Sequence, residues 1–408
     1  MSDKKSNVSN TLRAVLKSNT MLFILVGVMI LFEILIRITG HGSMFAPANV
    51  TNIIRQNAYV AILATGMLLC ILTGGNIDLS VGSVVALVGA LAGVFIVNLG
   101  MPVWLAICLC LLIGTLIGAF HGFFIAYIHI PPFITTLAGM LLWRGVATIV
   151  LDGKPIAPFP QKYLNLFESF LPSASESEME VFNEIVDAHA FIVTMIIALI
   201  CVVAYIILEI ISRQKKIKNG YTVSSKSSFI TKLVILSIVI IILGQFLARD
   251  RGLPVVLILL AVIVAAYSYF TQNTVPGRYL YAIGGNAKAA KLSGVNTDNV
   301  MFFAYTNMGF ISAVAALVTI ARLNSAQPTA GQNYEMDAIA SCFIGGASAY
   351  GGTGKVSGAV VGAIFMGVLN NGMSILGVDM NWQRAVKGLV LLAAVIFDVV
   401  SKRKKTSK

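Results

Sequence analysis

FIVTMIIALICVVAYIILEII, Phe191–Ile211, decides the fold. The run carries one charged side chain, Glu209, and matches the roughly 20 residues a helix needs to cross about 30 Å of hydrocarbon. Lipid offers no hydrogen bonds to a bare backbone, so only helices or a closed barrel can span it. The run is continuous rather than alternating, which argues for a helix. Similar runs recur along the chain. They make it 57% hydrophobic and 11% charged, against about 25% charged in a soluble domain. Mean hydropathy is +0.87.

The formal charge of +12 invites a nucleic-acid reading. Its placement argues otherwise, because Lys and Arg gather at the ends of apolar runs, as the positive-inside rule expects. A lipid bilayer, not nucleic acid, is the expected surrounding. Cys70, Cys108, Cys110, Cys201 and Cys342 lie inside apolar runs with no metal spacing, and read as packing residues. The four histidines form no cluster. The first apolar run is too long for a cleaved leader and lacks a small-residue cleavage site.

The patterning predicts an all-α, polytopic membrane protein of about twelve transmembrane helices. The expected spans are 21–38, 59–73, 79–98, 103–128, 133–151, 191–211, 233–247, 253–270, 300–321, 336–349, 356–376 and 385–400. The segment 336–349 is short enough to be re-entrant. A basic tail, 1–20, precedes the spanning domain 21–401, and a second basic tail, 402–408, follows it. Both are placed in the cytoplasm, as an even number of crossings requires. Pro47 and Asn49 are read as a short polar loop outside. Segment 152–188 carries seven acids against Lys154 and Lys162, a net charge of −5, and is also placed outside. The stretch from Arg213 to Lys232 holds six basic residues and no acid, and is placed inside. So is 272–299, with Arg278, Lys288 and Lys291.

Three polar stretches carry information. In Thr73–Ser83 an amide, an acid and a hydroxyl (Asn76, Asp78, Ser80) sit among glycines between two spans. Polar groups at membrane depth are costly unless they face protein or a wet path. The stretch reads either as a broken helix lining a route or as an ordinary turn with Asp78 or Ser80 as a cap. Pro276–Val295 contains a short amphipathic segment, about Ala287–Ser293, flanked by glycines. It could dock a soluble partner or only cover the inner mouth. Ile344–Val356 looks like a phosphate-binding loop, but Ala349 and Val356 stand where that pattern needs its first glycine and its Ser or Thr. No ATP site is therefore expected on this chain, nor any catalytic or metal-binding set. Asp78, Arg144, Glu335 and Asp337 are the polar residues most worth testing.

Gly75–Ser83, Pro132–Met140, Tyr281–Asn286 and Glu335–Ala340 together resemble the permeases of bacterial monosaccharide ABC importers, a family that includes ribose, galactose, arabinose and xylose systems. The likeness runs along nearly the whole chain in the same order. The inserted segment 213–270, with Arg251-Gly252-Leu253-Pro254, resembles the xylose or multiple-monosaccharide branch, as does Asn371-Gly372-Met373-Ser374. The resemblance implies a non-enzymatic transport subunit in the bacterial cytoplasmic membrane, working by alternating access. It implies a second permease as partner, a homodimer by expectation, with a sugar-binding protein outside. A tandem-cassette ATPase inside would hold ATP and Mg, and this chain no cofactor.

The expected ATPase-coupling residues are Gly277, Arg278, Gly284, Gly285, Asn286, Ala289, Lys291 and Gly294. The expected path residues are Asn76, Asp78, Ser80, Glu335, Asp337, Asn370 and Asn371. The rival function is an ion-coupled secondary transporter of a small polar solute, which would use buried ionisable groups for coupling.

Overall fold

The computed structural model describes residues 20–172, 178–181, 184–221, 223 and 225–406. The N-terminal tail, with Lys4, Lys5, Arg13 and Lys17, lies outside the described residues, as does Glu176. Among the described residues fifteen α-helices follow in chain order: α1 Thr20–Ile38, α2 Pro47–Gln56, α3 Ala58–Leu72, α4 Val81–Gly93 (continued by a π-helical turn, Val94–Asn98), α5 Val103–Ala126, α6 Pro132–Val150, α7 Gln161–Phe167, α8 Ala188–Lys218, α9 Lys226–Asp250, α10 Val255–Asn273, α11 Val275–Leu292, α12 Thr297–Leu323, α13 Tyr334–Ile344, α14 Val356–Ile375 and α15 Met380–Thr406.

Among the described residues, ten stretches are long and apolar enough to cross a membrane. The expected twelve crossings divide differently at three places. Pro47–Asn49 is not a loop: Pro47 stands in the first turn of α2, where its missing N–H costs nothing, and α2 leads into α3 through Asn57. The segment expected at 336–349 is the half-length α13, about 16 Å long at 1.5 Å per residue, too short to cross. Helix α15 is long enough but carries Lys387 and Asp398 among its apolar residues, and it continues to Thr406 in the expected tail.

The segment 152–188 is not purely helix and loop. Short strands Phe170–Leu171 (β1) and Leu253–Pro254 (β4) pair, and Glu178–Val181 (β2) pairs with Glu184–Asp187 (β3). Backbone bonds of 2.9 Å between Ile156 and Ala326 hold the segment to the chain beyond α12. Tyr163, fully buried in α7, donates to Leu317 O at 2.7 Å. Arg55 at the end of α2 ion-pairs with Glu168.

The core is built on α3, every residue of which is buried. Around it pack α12, α13, α14 and α10. Of the two inserted helices, α10 joins this core, whereas α9 lies on α8 and α2. Helix α12 packs most closely on α5, where Gly118 lets the main chains touch. A Cβ there would lie 2.5 Å from Tyr305 O and 2.9 Å from Gly309 Cα. Gly118→Val should therefore force the helices apart at a cost of about 1–3 kcal/mol. The expected result is a lower thermal midpoint in detergent. Gly145→Val, at an exposed position with nothing within 4 Å, should leave the midpoint unchanged.

Candidate functional site

Two interruptions of helix face each other. Residues 73–80 between α3 and α4 are not helical, and neither are most of 324–333 before α13. Irregular backbone at membrane depth is tolerated only where protein or a cavity covers it. Here the two breaks cover one another. A methyl on Gly82 would strike Gly331 O and Glu335 Oε2, and one on Gly331 would strike Gly82 O. Gly331 also has φ +72°, a conformation that glycine takes freely. The N-terminal ends of α4 and α13 thus meet main chain to main chain, with Asp78 before one and Glu335 and Asp337 in the first turn of the other. Acids there complement the positive ends of the helices.

Asp78 and Ser80 are buried, at 2% and 1% exposure. Asp78 Oδ1 accepts from Ser80 N at 2.8 Å and from Ser80 Oγ at 2.6 Å. Ser80 Oγ lies 3.2 Å from His121 Nδ1, and Trp143 Nε1 donates to His121 Nε2 at 2.9 Å. The directions follow from chemistry. Indole N–H can only donate, so Nε2 is bare and the proton of the neutral ring sits on Nδ1. Nδ1–H donates to Ser80 Oγ, and the Ser80 hydroxyl donates to Asp78. This relay ties the 73–80 break to α5 and α6. His121 lies five residues before the end of α5, about 8 Å into the helix at 1.5 Å per residue. On α6, Arg144 Nη1 donates to Pro328 O at 3.0 Å and Ala330 O at 2.5 Å. Arg144 is also the positive charge acting on Glu335.

Asp337 belongs to a second set. It is 1% exposed and accepts from Tyr59 Oη at 2.6 Å. Lys387 Nζ lies 3.0 and 3.1 Å from its two oxygens. The Tyr59 ring stacks on Tyr334 at 3.6 Å. A buried ion pair thus fixes α15 to α13, and Tyr59 links both to α3.

Of the other residues expected on a path, Asn76 lies within the 73–80 break, and Asn370 and Asn371 lie on α14. Asn76 Nδ2 donates to Thr73 Oγ1 at 3.2 Å. Asn370 Nδ2 donates to Asn57 Oδ1 at 3.0 Å, at the joint between α2 and α3. Asn371 is buried, and its Oδ1 accepts no hydrogen bond from the described residues.

The segment expected as a coupling loop is helical from Val275. Thr274 Oγ1 caps it by accepting from Gly277 N at 3.1 Å. Asn286 interrupts it with φ −162° and ψ 100°, and restarts the last turns by accepting from Ala289 N at 3.0 Å. The eight expected residues divide by position. Arg278, Gly285, Asn286, Ala289, Lys291 and Gly294 are exposed. Gly277 is buried on the main chain of Phe270 and Thr271, and Gly284 packs on Leu72 and Gly352. Leu292, not among the expected residues, is 90% exposed beside them.

His121, Trp143, Tyr59, Asn57 and Lys387 were missed. His121 and Lys387 carry a signal, each being an ionisable residue inside an apolar run. The partners of the others are too far along the chain for spacing to show.

A polytopic helical bundle with broken helices meeting inside it is the architecture of a membrane permease. Residues 49–179 and 183–395 match the family described as branched-chain amino acid transport system / permease component, and the chain belongs to it. It is 34% identical over 386 residues to the xylose transport system permease protein XylH of Escherichia coli (strain K12), covering 95% of this chain and 93% of that one. It is 34% identical over 358 residues to the ribose import permease protein RbsC of Haemophilus influenzae, covering 88% and 87%. No solved structure matches. The chain is a multi-pass protein of the cytoplasmic membrane and a transport subunit.

Removing one member of a buried ion pair leaves an uncompensated charge, at about 3–5 kcal/mol. Lys387→Met should therefore lower the thermal midpoint sharply. Asp337→Asn combined with Lys387→Met should recover most of the loss in the same detergent melt.

Proposed function

We propose that this chain is the membrane-spanning permease of an ATP-driven importer of monosaccharides, of the xylose or multiple-sugar kind. The observation that carries the reading is the exposed end of α11. A broken, capped helix presents Gly285, Asn286, Ala289, Lys291 and Leu292 to solvent, while its other side rests on the end of α3. An exposed helix end carrying Lys291 and Leu292 offers a face that a soluble partner can grip. The proposed partner is a cytoplasmic tandem-cassette ATPase, which holds ATP and Mg. Two permease copies, a homodimer in the simplest case, and an extracytoplasmic sugar-binding protein complete the assembly. The name of XylH, and the likeness of the 213–270 insertion, support xylose as substrate.

In the proposed cycle the binding protein delivers sugar from the 152–188 side. Closure of the ATPase moves α11. The two helix breaks then rearrange between outward-open and inward-open states, and sugar passes along the interface of the two copies. Asp78, Ser80 and Glu335 act at the moving joint between the breaks, rather than as a lining already open to solvent. Asn76, Asn370 and Asn371 are proposed to border the same route. The ion-coupled rival is less well supported, because Asp337 is held by Lys387 and Tyr59 and Asp78 is bonded to Ser80.

Gly285→Asp with Ala289→Asp tests the docking face. Both positions are exposed, and a Cβ at 285 meets nothing within 4 Å, so membrane insertion should be normal. Co-purification of the ATPase and sugar uptake should both be lost. Normal uptake with normal co-purification would remove the docking role.

A further inference from the structure

Loop 345–354, the false phosphate loop, takes no part in the account so far. Its main chain is wedged between α11 and the 73–80 break. Gly352 N donates to Leu72 O at 3.0 Å, at the end of α3. Tyr281 Oη on α11 donates to Gly354 O at 3.0 Å. A Cβ on Gly352 would lie 2.8 Å from Gly285 N, and one on Gly351 would lie 2.5 Å from Gly74 Cα. A methyl on Gly284 would strike Leu72 O and Gly352 N, and one on Gly75 would strike Ala349 O. Gly75, Gly351 and Gly352 have φ of +75°, +80° and +69°, so a side chain at any of them would be strained as well as crowded.

Resting on the importer reading, we propose that this loop is the joint that carries movement of α11 into the 73–80 break, with Gly75, Gly284, Gly352 and Tyr281 as its positioning residues. Apart from the Tyr281 hydroxyl on Gly354 O, the contacts of Gly75, Gly284, Gly351 and Gly352 are main chain on main chain. No long side chain lies between them to absorb a displacement by changing rotamer, and packed interiors transmit strain. A shift of Gly284 and Tyr281 therefore moves Leu72 and Gly74–Gly75. Three residues beyond Gly75, Asp78 enters the relay to Ser80, His121 and Trp143. Ala349 N also donates to Asp398 Oδ2 at 3.1 Å, so α15 supports the loop from its other side. Packing alone would explain close glycines anywhere in the bundle. It does not explain why one loop bonds to both the partner-facing helix and the end of α3.

The test uses the complete importer, with its ATPase and binding protein, in proteoliposomes. Tyr281→Phe removes one hydroxyl and keeps the ring. Loss of a single neutral hydrogen bond at the joint should lower sugar taken up per ATP hydrolysed by roughly two- to ten-fold. Hydrolysis and co-purification of the ATPase should stay at the wild-type level. Gly352→Ala should lower the same ratio further. A purely structural role would lower uptake and hydrolysis in proportion to the folded protein recovered, and that result would overturn the proposal. So would an unchanged ratio in Tyr281→Phe, which decides the matter even where Gly352→Ala fails to fold. A wild-type chain whose uptake is indifferent to ATP would overturn the importer reading itself, and the joint with it.

Discussion

Where α4 and α13 begin, Gly82 and Gly331 bring two interrupted main chains into contact, and the rest of the bundle depends on that contact. Inside a bilayer an unpaired N–H or C=O finds no water, so a broken helix must be covered by protein. Each break supplies the cover for the other. The exposed polar ends are closed by Asp78 and Ser80 on one side and by Arg144, bonded to Pro328 and Ala330, on the other. A side chain at either glycine would separate the two main chains and leave both sets of groups uncovered.

This constraint also explains the outer arrangement. Helix α3, wholly buried, leads into one break, and α12, buried along its Ile311–Ala321 half, leads into the other. The ion pair of Asp337 with Lys387 fixes α15 to the half-length α13, which also packs on α3 and α14. A charged pair costs desolvation even when well made, and is weak support for stability alone. Its use here is positional: it sets the register of α15 against α13.

The spans were legible from sequence because hydrocarbon imposes a length and a composition, and Phe191–Ile211 states both. The glycines around Asp78 in Thr73–Ser83 admit either a broken helix or an ordinary turn, and sequence alone leaves that choice open. What sequence left open depended on distant partners. Asn49, Asn52, Arg55 and Gln56 dilute the apolar signal of α2, so in sequence its helix reads as a loop despite Pro47 at its start. His121 was set aside for lack of a second histidine, although its partners are a serine 41 residues away and a tryptophan 22 residues away. Lys387 reads as an anomaly in an apolar run until Asp337, 50 residues earlier, is placed beside it. In the 276–295 segment the exposed and packed glycines look alike in sequence. Only the contacts separate Gly284, on Leu72, from Gly285, in open space.

The account rests on the chain being a conduit moved by a partner's ATP hydrolysis. The most direct test is uptake of labelled xylose by proteoliposomes holding this chain, its ATPase and its binding protein, with the ion gradients collapsed. Uptake that requires hydrolysable ATP and is indifferent to the collapsed gradients is the predicted result. Uptake that proceeds without ATP and stops when the gradients are collapsed would contradict it.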